Sequence, residues 1–463
     1  MMEPLSLKEI IRAVNGEIIT SGRQDVCASI STDTRTLKKG DTFVALKGDN
    51  FDGNDYIGQA VSAGAEIVIV SRKDCTIPAG ITAVYVDDTL RALGDIASYY
   101  RSRLKCRVIA ITGSNGKTTT KEFLKTCLAA KYSVIATEGT KNNLVGVPQT
   151  IFRADSSHDY LILELGINQF NEMTRLAQIA QPDMALLTGI APSHLEYFGD
   201  MDGVFRAKSE LFHQISADVP VFLNKKDSYY SQSLAVVKGK VKSFGIECDA
   251  DFCAKHIAIQ EKGIEFKLYE NGSELGTVLL PFYAEHTVIN FLAALAVARE
   301  CGVNWDAIKN CIGSLSLPAM RMQVFDVSGI RIVNDAYNAN PVSTRSALMV
   351  FERIPVKGKK VMVFGDMREL GADSERFHKE IGTLIAHSSI DVLVCVGSLA
   401  RYAAEEVMRE GKRTAAYDTV DDACSFVSEL LETGDAVLLK GSRANRLEKI
   451  AQFLQNNIKP TVA

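Results

Sequence analysis

The strongest constraint on this chain is one continuous run, Arg107-Val108-Ile109-Ala110-Ile111-Thr112-Gly113-Ser114-Asn115-Gly116-Lys117-Thr118-Thr119-Thr120. It joins an apolar segment of strand length to a glycine-bearing turn and then to a helical pattern. Residues 107–112 are apolar on both faces, which predicts a parallel strand covered by helices. The turn predicts a phosphate cradle, because glycines let backbone N–H groups converge on phosphate oxygens and a helix N-terminus adds partial positive charge. Gly113, Ser114, Asn115, Gly116 and Thr119 would form that cradle. Lys117 would reach the β- and γ-phosphates, and the Thr118 hydroxyl would ligate Mg²⁺. The strict GxxxxGK[ST] spacing is not met, since position 111 is Ile. The plain alternative is a glycine-rich turn that binds nothing, but strand, GxxGKTT and helix occur here together.

The surrounding pattern divides into three. At about 150 residues per domain, 463 residues predict three domains. Residues 1–86 mix short elements irregularly: an amphipathic helix over Leu7–Val14, a segment at 41–48, a helical stretch at 56–63 and a buried strand at 66–70. A helical pattern over 89–103 leads into the strand at 107–112. Strand and helix then alternate to about residue 224, with 160–165 and 184–188 as further apolar parallel strands. The period changes around 252–280, where 264–270, Asn271-Gly272 and 273–280 predict an antiparallel hairpin with a type I′ turn. Helices are expected at 286–301 and 304–312, then a joint at 313–318. From Arg321 a second alternation places strands at 330–335, 360–365, 391–397 and 435–440. There is no internal repeat or low-complexity segment.

Composition excludes several classes. A hydrophobic fraction of 46%, a charged fraction of 23% and a net charge of −4 fit a globular protein without the basic face of a nucleic-acid binder. Ten cysteines fall singly with no CxxC spacing, which predicts reduced thiols and a cytoplasmic location. The first ten residues carry acidic groups and no signal-peptide core. No apolar run approaches the roughly 20 residues that span a bilayer.

Further polar clusters close predicted strands. Glu164 ends an apolar strand, where open α/β sheets bind ligands; alone it reads equally as a metal ligand or a solvated strand-end acid. His194, in Ser193-His194-Leu195-Glu196, shares the same rim, whereas Lys208 reads from the residues alone as an ordinary helical surface lysine. Asn334-Asp335-Ala336-Tyr337-Asn338-Ala339-Asn340-Pro341, Gly365-Asp366-Met367-Arg368-Glu369 and Lys440-Gly441-Ser442-Arg443 close strands in the last third. The Lys and Arg of the last cluster could hold anionic groups. Asx and Pro explain turns by themselves. Several such clusters in two α/β regions predict a ligand-filled cleft between them.

These residues resemble the Mur ligase family, the ATP-dependent amide ligases of peptidoglycan precursor synthesis. TGSNGKTTTK at 112–121 is similar to the family's TGxxGKT[ST], and Thr140-Lys141-Asn142-Asn143-Leu144-Val145-Gly146-Val147-Pro148 to its Asn-rich turn before Gly-x-Pro. The resemblance implies Glu164, His194 and Lys208 at metal positions beside Thr118, with Lys208 carbamylated to help hold the second of two Mg²⁺ ions. It implies Lys117, Glu164, His194 and Lys208 as the catalytic set. It implies Asn290 at adenine, and Arg321 and Asp335 closing onto ATP. NDAYNANP, GDMRELG and KGSR resemble the members that add D-alanyl-D-alanine to UDP-N-acetylmuramoyl-tripeptide. Ser31, Thr34, Arg35, Lys47, Gly48, Asp52 and Asn54 then fall at UDP-sugar positions, with Asn54 where the family pattern has His. Asn142, Asn143, Tyr337, Asn338 and Asn340 would serve the substrates.

The implied architecture is α/β in three domains. A small UDP-sugar substrate domain spans 1–86, and a P-loop parallel sheet with an antiparallel β addition spans 87–318. A Rossmann-like domain for the incoming dipeptide spans 319–463. The expected protein is a monomer with small-molecule substrates and neither nucleic-acid nor membrane partners. A folylpolyglutamate synthetase-like ligase is a rival that lacks the N-terminal region. A P-loop nucleotide switch is another, with no use for the C-terminal clusters.

Overall fold

The computed structural model describes residues 2–457; Met1 and residues 458–463, the outer ends of the first and third expected domains, lie outside it. Its largest sheet has nine strands in the order Ser273–Leu280, Gly263–Glu270, Phe252–Gln260, Val241–Ile246, Val221–Asn224, Met184–Leu187, Arg107–Thr112, Tyr160–Glu164 and Val134–Ala136. Only the first two pairings are antiparallel. The long hairpin turns at Asn271 and Gly272, at φ +50° and +81°, the two positive angles a type I′ turn requires. The strand Arg107–Thr112 is fully apolar inside and central in its half of the sheet. The chain leaves it for one side and returns later on the other, so the turn after Thr112 opens at a topological switch point.

A second sheet of six strands runs Gln323–Val327, Ile330–Asp335, Ala436–Lys440, Lys360–Gly365, Val392–Val396 and Arg413–Tyr417, antiparallel only at Gln323–Val327. The N-terminal sheet runs Glu17–Thr20, Thr82–Tyr85, Ile67–Val70, Thr42–Val44 and Ile30–Ser31. Helices Leu7–Val14 and Thr89–Arg103 form as expected, the first closed by a Ser6/Glu9 capping box and the second capped by Asp88. Among the strands not anticipated from sequence are four, Glu17–Thr20, Thr82–Tyr85, Gln323–Val327 and Arg413–Tyr417. Three of them are sheet edges with mixed exposure, so neither alternation nor an apolar run marks them. The stretch read as helical from 56 is a 3₁₀ turn at Gly53–Tyr56 and a helix at Ile57–Ser62. All ten cysteines are free thiols, and among the described residues no helix is long and apolar enough to cross a membrane.

One buried histidine holds the loop 366–371. His378 Nε2 accepts the Met367 N–H at 2.9 Å, and its Nδ1 lies 2.6 Å from the Ser374 carbonyl oxygen. Both nitrogens are used by the neutral ring, and burial lowers the pKa of His378. A lowered folded pKa means that this contribution to stability is complete above the unfolded value of about 6.5 and is lost as pH falls below it. The melting temperature of the wild type should therefore drop between about pH 7 and about pH 5.5 more steeply than that of His378→Leu. Parallel pH profiles would rule this role out.

Candidate active site

The turn after Thr112 is built for close approach. Gly113 and Gly116 sit at φ +142° and +82°. A Cβ on Gly113 would stand 2.0 Å from Thr188 Oγ1, and one on Gly116 2.3 Å from Asn290 Oδ1. The neighbouring strand end braces the turn: Ser114 N–H donates to the Gly189 carbonyl at 2.9 Å, Ser114 Oγ to Ala191 O at 2.9 Å and Thr188 Oγ1 to Asn115 O at 2.5 Å. The helix Lys117–Ala129 begins directly after Gly116. Lys117 donates to the Gly113 carbonyl at 2.7 Å. Burial lowers its pKa, opposed by the charge of Glu164 and reinforced by that of Arg321.

Register places the next groups. Glu164 lies opposite Ile111 in the parallel ladder, one residue before the end of the strand that feeds the turn. It is 1% exposed. Its Oε1 accepts from Thr118 Oγ1 at 3.2 Å and from Asn142 Nδ2 at 2.8 Å, while Oε2 is buried with no hydrogen-bond partner. Asn142 thus orients Glu164, and Asn143 is spent on the backbone N–H groups of Val145 and Gly146. Lys208, in the helix Met201–His213, is 1% exposed rather than on the surface. Burial, and next the charge of Lys117, hold its pKa well below that of an ordinary lysine.

The third domain sits directly on this cradle. Arg321 Nη2 donates to Thr118 Oγ1 at 3.0 Å while its guanidinium lies 4.2 Å above the Tyr337 ring centroid. Tyr337 OH donates to Thr140 Oγ1 at 2.7 Å, and Asn340 Nδ2 to Asn115 Oδ1 at 2.8 Å. Asp335 and Lys440 are register partners, with Nζ 2.6 Å from Oδ2, and Asp335 Oδ1 accepts the Met322 N–H at 3.0 Å. Lys440 is therefore not free for an anion, and Arg443 pairs with Glu448 at 3.1 Å. Asn338 accepts Lys440 through its carbonyl and the Ala339 N–H through its side chain.

A cavity of about 680 Å³ lies between the two domains, lined by the cradle, Glu164, His194, Asn290, Arg321 and Asp335 among others. Asn290 accepts a bond from Thr120 at 3.3 Å beneath Gly116. Lys208 does not line this space. The side chains of Glu164 and His194 turn to different partners, His194 Nδ1 lying 2.6 Å from Glu369 Oε2. His194 and Glu369 both hold left-handed backbone, φ +54° and +66°, conformations that cost non-glycine residues about 1–3 kcal/mol each.

The N-terminal set falls at the end of the strand Ile30–Ser31 and in the segments that follow it and the adjacent strand Thr42–Val44, away from that cavity. Ser31 bonds the Asp33 carbonyl, Thr34 bonds Gln59, and Arg35 pairs with Asp33 at 2.7 Å. Lys47 bridges to Asp52 through the backbone, and Gly48 lies beneath the Phe51 ring. Asn54 is buried, bonding Asp52 and Ser71. It therefore positions the loop rather than presenting a group to solvent.

Three groups escape the sequence reading. Asp227 follows the strand Val221–Asn224 and accepts the Ile190 N–H at 2.8 Å, with its pKa raised by burial; the strand-end rule would have found it. The Glu369–His194 pair joins distant segments, and so does His286 Nδ1, 3.0 Å from Ser346 Oγ. No local pattern signals either.

The geometry is that of a glycine-rich strand-to-helix turn closed over by a second α/β domain, and comparison with known proteins places it among ATP-dependent ligases. Family profiles match at residues 111–298 (Mur ligase middle domain), 320–443 (Mur ligase, glutamate ligase domain) and 27–101 (Mur ligase family, catalytic domain). A relative from Bacillus subtilis (strain 168) named UDP-N-acetylmuramoyl-tripeptide–D-alanyl-D-alanine ligase is 33% identical over 97% of this chain and 98% of its own. The Escherichia coli (strain K12) protein of the same name is 33% identical over 98% and 99%. A crystal structure of MurF from Acinetobacter baumannii is similar at TM-score 0.90 and 32% identity, covering 98% of this chain and 100% of that one. The MurF ligase from Thermotoga maritima in complex with ADP is similar at 0.82 and 27%, covering 93% and 97%. The chain belongs to the Mur ligase family. A folylpolyglutamate synthase from Mycobacterium tuberculosis, at 17% identity and TM-score 0.65, shares the fold alone.

Gly116→Ala should weaken ADP binding at least about tenfold, since it combines a left-handed φ with a displaced Asn290. Titration calorimetry checks this, and unchanged affinity would contradict the assignment of the cradle.

Proposed function

We propose that this chain joins D-alanyl-D-alanine to UDP-N-acetylmuramoyl-tripeptide, with ATP giving ADP and phosphate, in cytoplasmic peptidoglycan precursor synthesis. The observation that carries the reading is the cavity in which a phosphate-loop domain and a third domain meet across Thr118, Arg321 and Asp335. The full-length likeness to the ligases named above supports the substrates. In this reading residues 1–86 take the UDP-sugar, 87–318 take ATP and 319–463 take the dipeptide.

ATP phosphorylates the tripeptide's terminal carboxylate, ADP leaves, and the dipeptide amine attacks the acyl phosphate. Phosphate departs from the tetrahedral intermediate. Lys117 and Arg321 offset charge on the migrating phosphoryl group, and docking of the third domain excludes water. The residues fit Mg²⁺: it prefers oxygen, keeps waters and needs only one or two carboxylates plus phosphates, and Glu164 Oε2 is a buried acceptor without a partner. Thr118, Glu164, His194 and a modified Lys208 would hold two ions, which would supply charge neutralisation at the phosphoryl oxygens. Lys208 suits carbamylation because burial lowers its pKa and so favours the neutral amine that reacts; the N–C bond to CO₂ forms with loss of one proton.

Phosphate release from ATP should require both tripeptide substrate and D-alanyl-D-alanine, with a pentapeptide product by mass. Release indifferent to any acceptor would favour a nucleotide switch, and release driven by a single amino acid would move the chain to another member of the family. Lys117→Ala should lower turnover at least about 10²-fold with little loss of fold. Lys208→Ala should be nearly inactive and partly rescued by short carboxylic acids, and full activity without them would refute the carbamate.

A further inference from the structure

We propose that Glu369, carried by the third domain, is the positioning residue that fixes His194 for metal ligation, so that the metal site of the central domain is completed only when the third domain docks. This rests on the reading of His194 as a metal ligand given above.

The pair is built from both sides. His194 Nδ1 is buried and Glu369 Oε2 stands 2.6 Å from it, within ion-pair distance but off the hydrogen-bond direction, so that a turn of the ring aligns the two, and each residue holds a left-handed backbone conformation. Beside them the Glu196 N–H donates to the Glu369 carbonyl at 3.2 Å. Gly371, at φ +59°, lets that loop close in: a Cβ there would stand 3.3 Å from Glu196 Cα. The loop that presents Glu369 is fastened to its own domain at three points. His378 accepts the Met367 N–H, Ser442 Oγ accepts the Arg368 N–H at 3.0 Å, and Asp366 Oδ1 accepts the N–H groups of Leu399 and Ala400 at 2.9 Å. The imidazole itself rests edge-on against Phe198. So Glu369 is delivered to His194 by a braced loop and not by a flexible surface arm.

The chemistry follows from the two ring nitrogens. A carboxylate that accepts the proton of Nδ1 leaves the lone pair of Nε2 for a metal and fixes the ring's orientation. Imidazole is a weak ligand for Mg²⁺, so the basicity that a carboxylate partner adds matters more here than at a zinc centre. Among the described residues none of the central domain is seen in this role; the partner comes from the domain that also brings Arg321 to Thr118. Metal affinity and domain docking are thereby coupled.

The test uses full-length protein with ADP and Mn²⁺, read by electron paramagnetic resonance titration of free Mn²⁺ and by pulsed detection of ¹⁴N coupling from a ligated imidazole. Wild type should show the coupling, and His194→Ala should lose it. Glu369→Gln should weaken the nitrogen-ligated Mn²⁺ about 10–100-fold with ADP affinity and melting temperature held. Glu369→Asp, which keeps the charge and tolerates left-handed backbone, should recover part of the loss. Coupling and affinity that survive Glu369→Gln but not His194→Ala would overturn this proposal and leave His194 a ligand. Equal losses in the Gln and Asp variants would assign the effect to the loop and also overturn it. No coupling in wild type would overturn both readings.

Discussion

The hydroxyl of Thr118 is where this structure is tied together. It donates to Glu164 in its own domain and accepts from Arg321 of the third. Arg321 lies on the Tyr337 ring, Tyr337 reaches Thr140, and the adjacent Met322 N–H is held by Asp335, which is paired to Lys440 across the sheet. A continuous set of contacts therefore runs from the core of the third-domain sheet to the first turn of the phosphate-loop helix. Within it, Lys117 and Arg321 are brought together with Lys440 against the carboxylates of Glu164 and Asp335. Lys440 is already paired with Asp335, whereas cations gathered out of water need compensating charge, which in the proposed function a polyphosphate would supply to Lys117 and Arg321. Nucleotide binding and domain docking would then favour one another.

Much of this was legible where local rules decide. The parallel strands around 107–112, 160–164 and 184–187 are continuous apolar runs, and Asn271-Gly272 admits the two positive φ angles of its turn. The glycine turn after Thr112 was readable because positive φ and close approach at Gly113 and Gly116 demand glycine there. Edge strands such as Gln323–Val327 were not, since half-exposed residues carry no period. Lys208 illustrates a deeper limit. Its surroundings in sequence are those of a surface helix, and only tertiary packing buries it.

Side-chain partners were the least legible part of the site. Asn142 sits in a recognisable turn, yet its use in orienting Glu164 depends on the pairing of two strands. Asn54 stands where a histidine fits the family pattern, and the structure gives it a bracing role between Asp52 and Ser71. Likewise Glu369 and His194 are distant in sequence and meet only because two domains dock. The fold is shared with folate-type ligases at low identity, so the fold alone does not choose the substrate.

The central claim is that ATP activates a carboxylate in the cleft between these domains. It is tested most directly with UDP-N-acetylmuramoyl-tripeptide labelled with ¹⁸O in its terminal carboxylate, incubated with ATP, Mg²⁺ and D-alanyl-D-alanine. An acyl phosphate intermediate predicts that each phosphate released carries one ¹⁸O from that carboxylate. Unlabelled phosphate formed along with the pentapeptide would contradict the account.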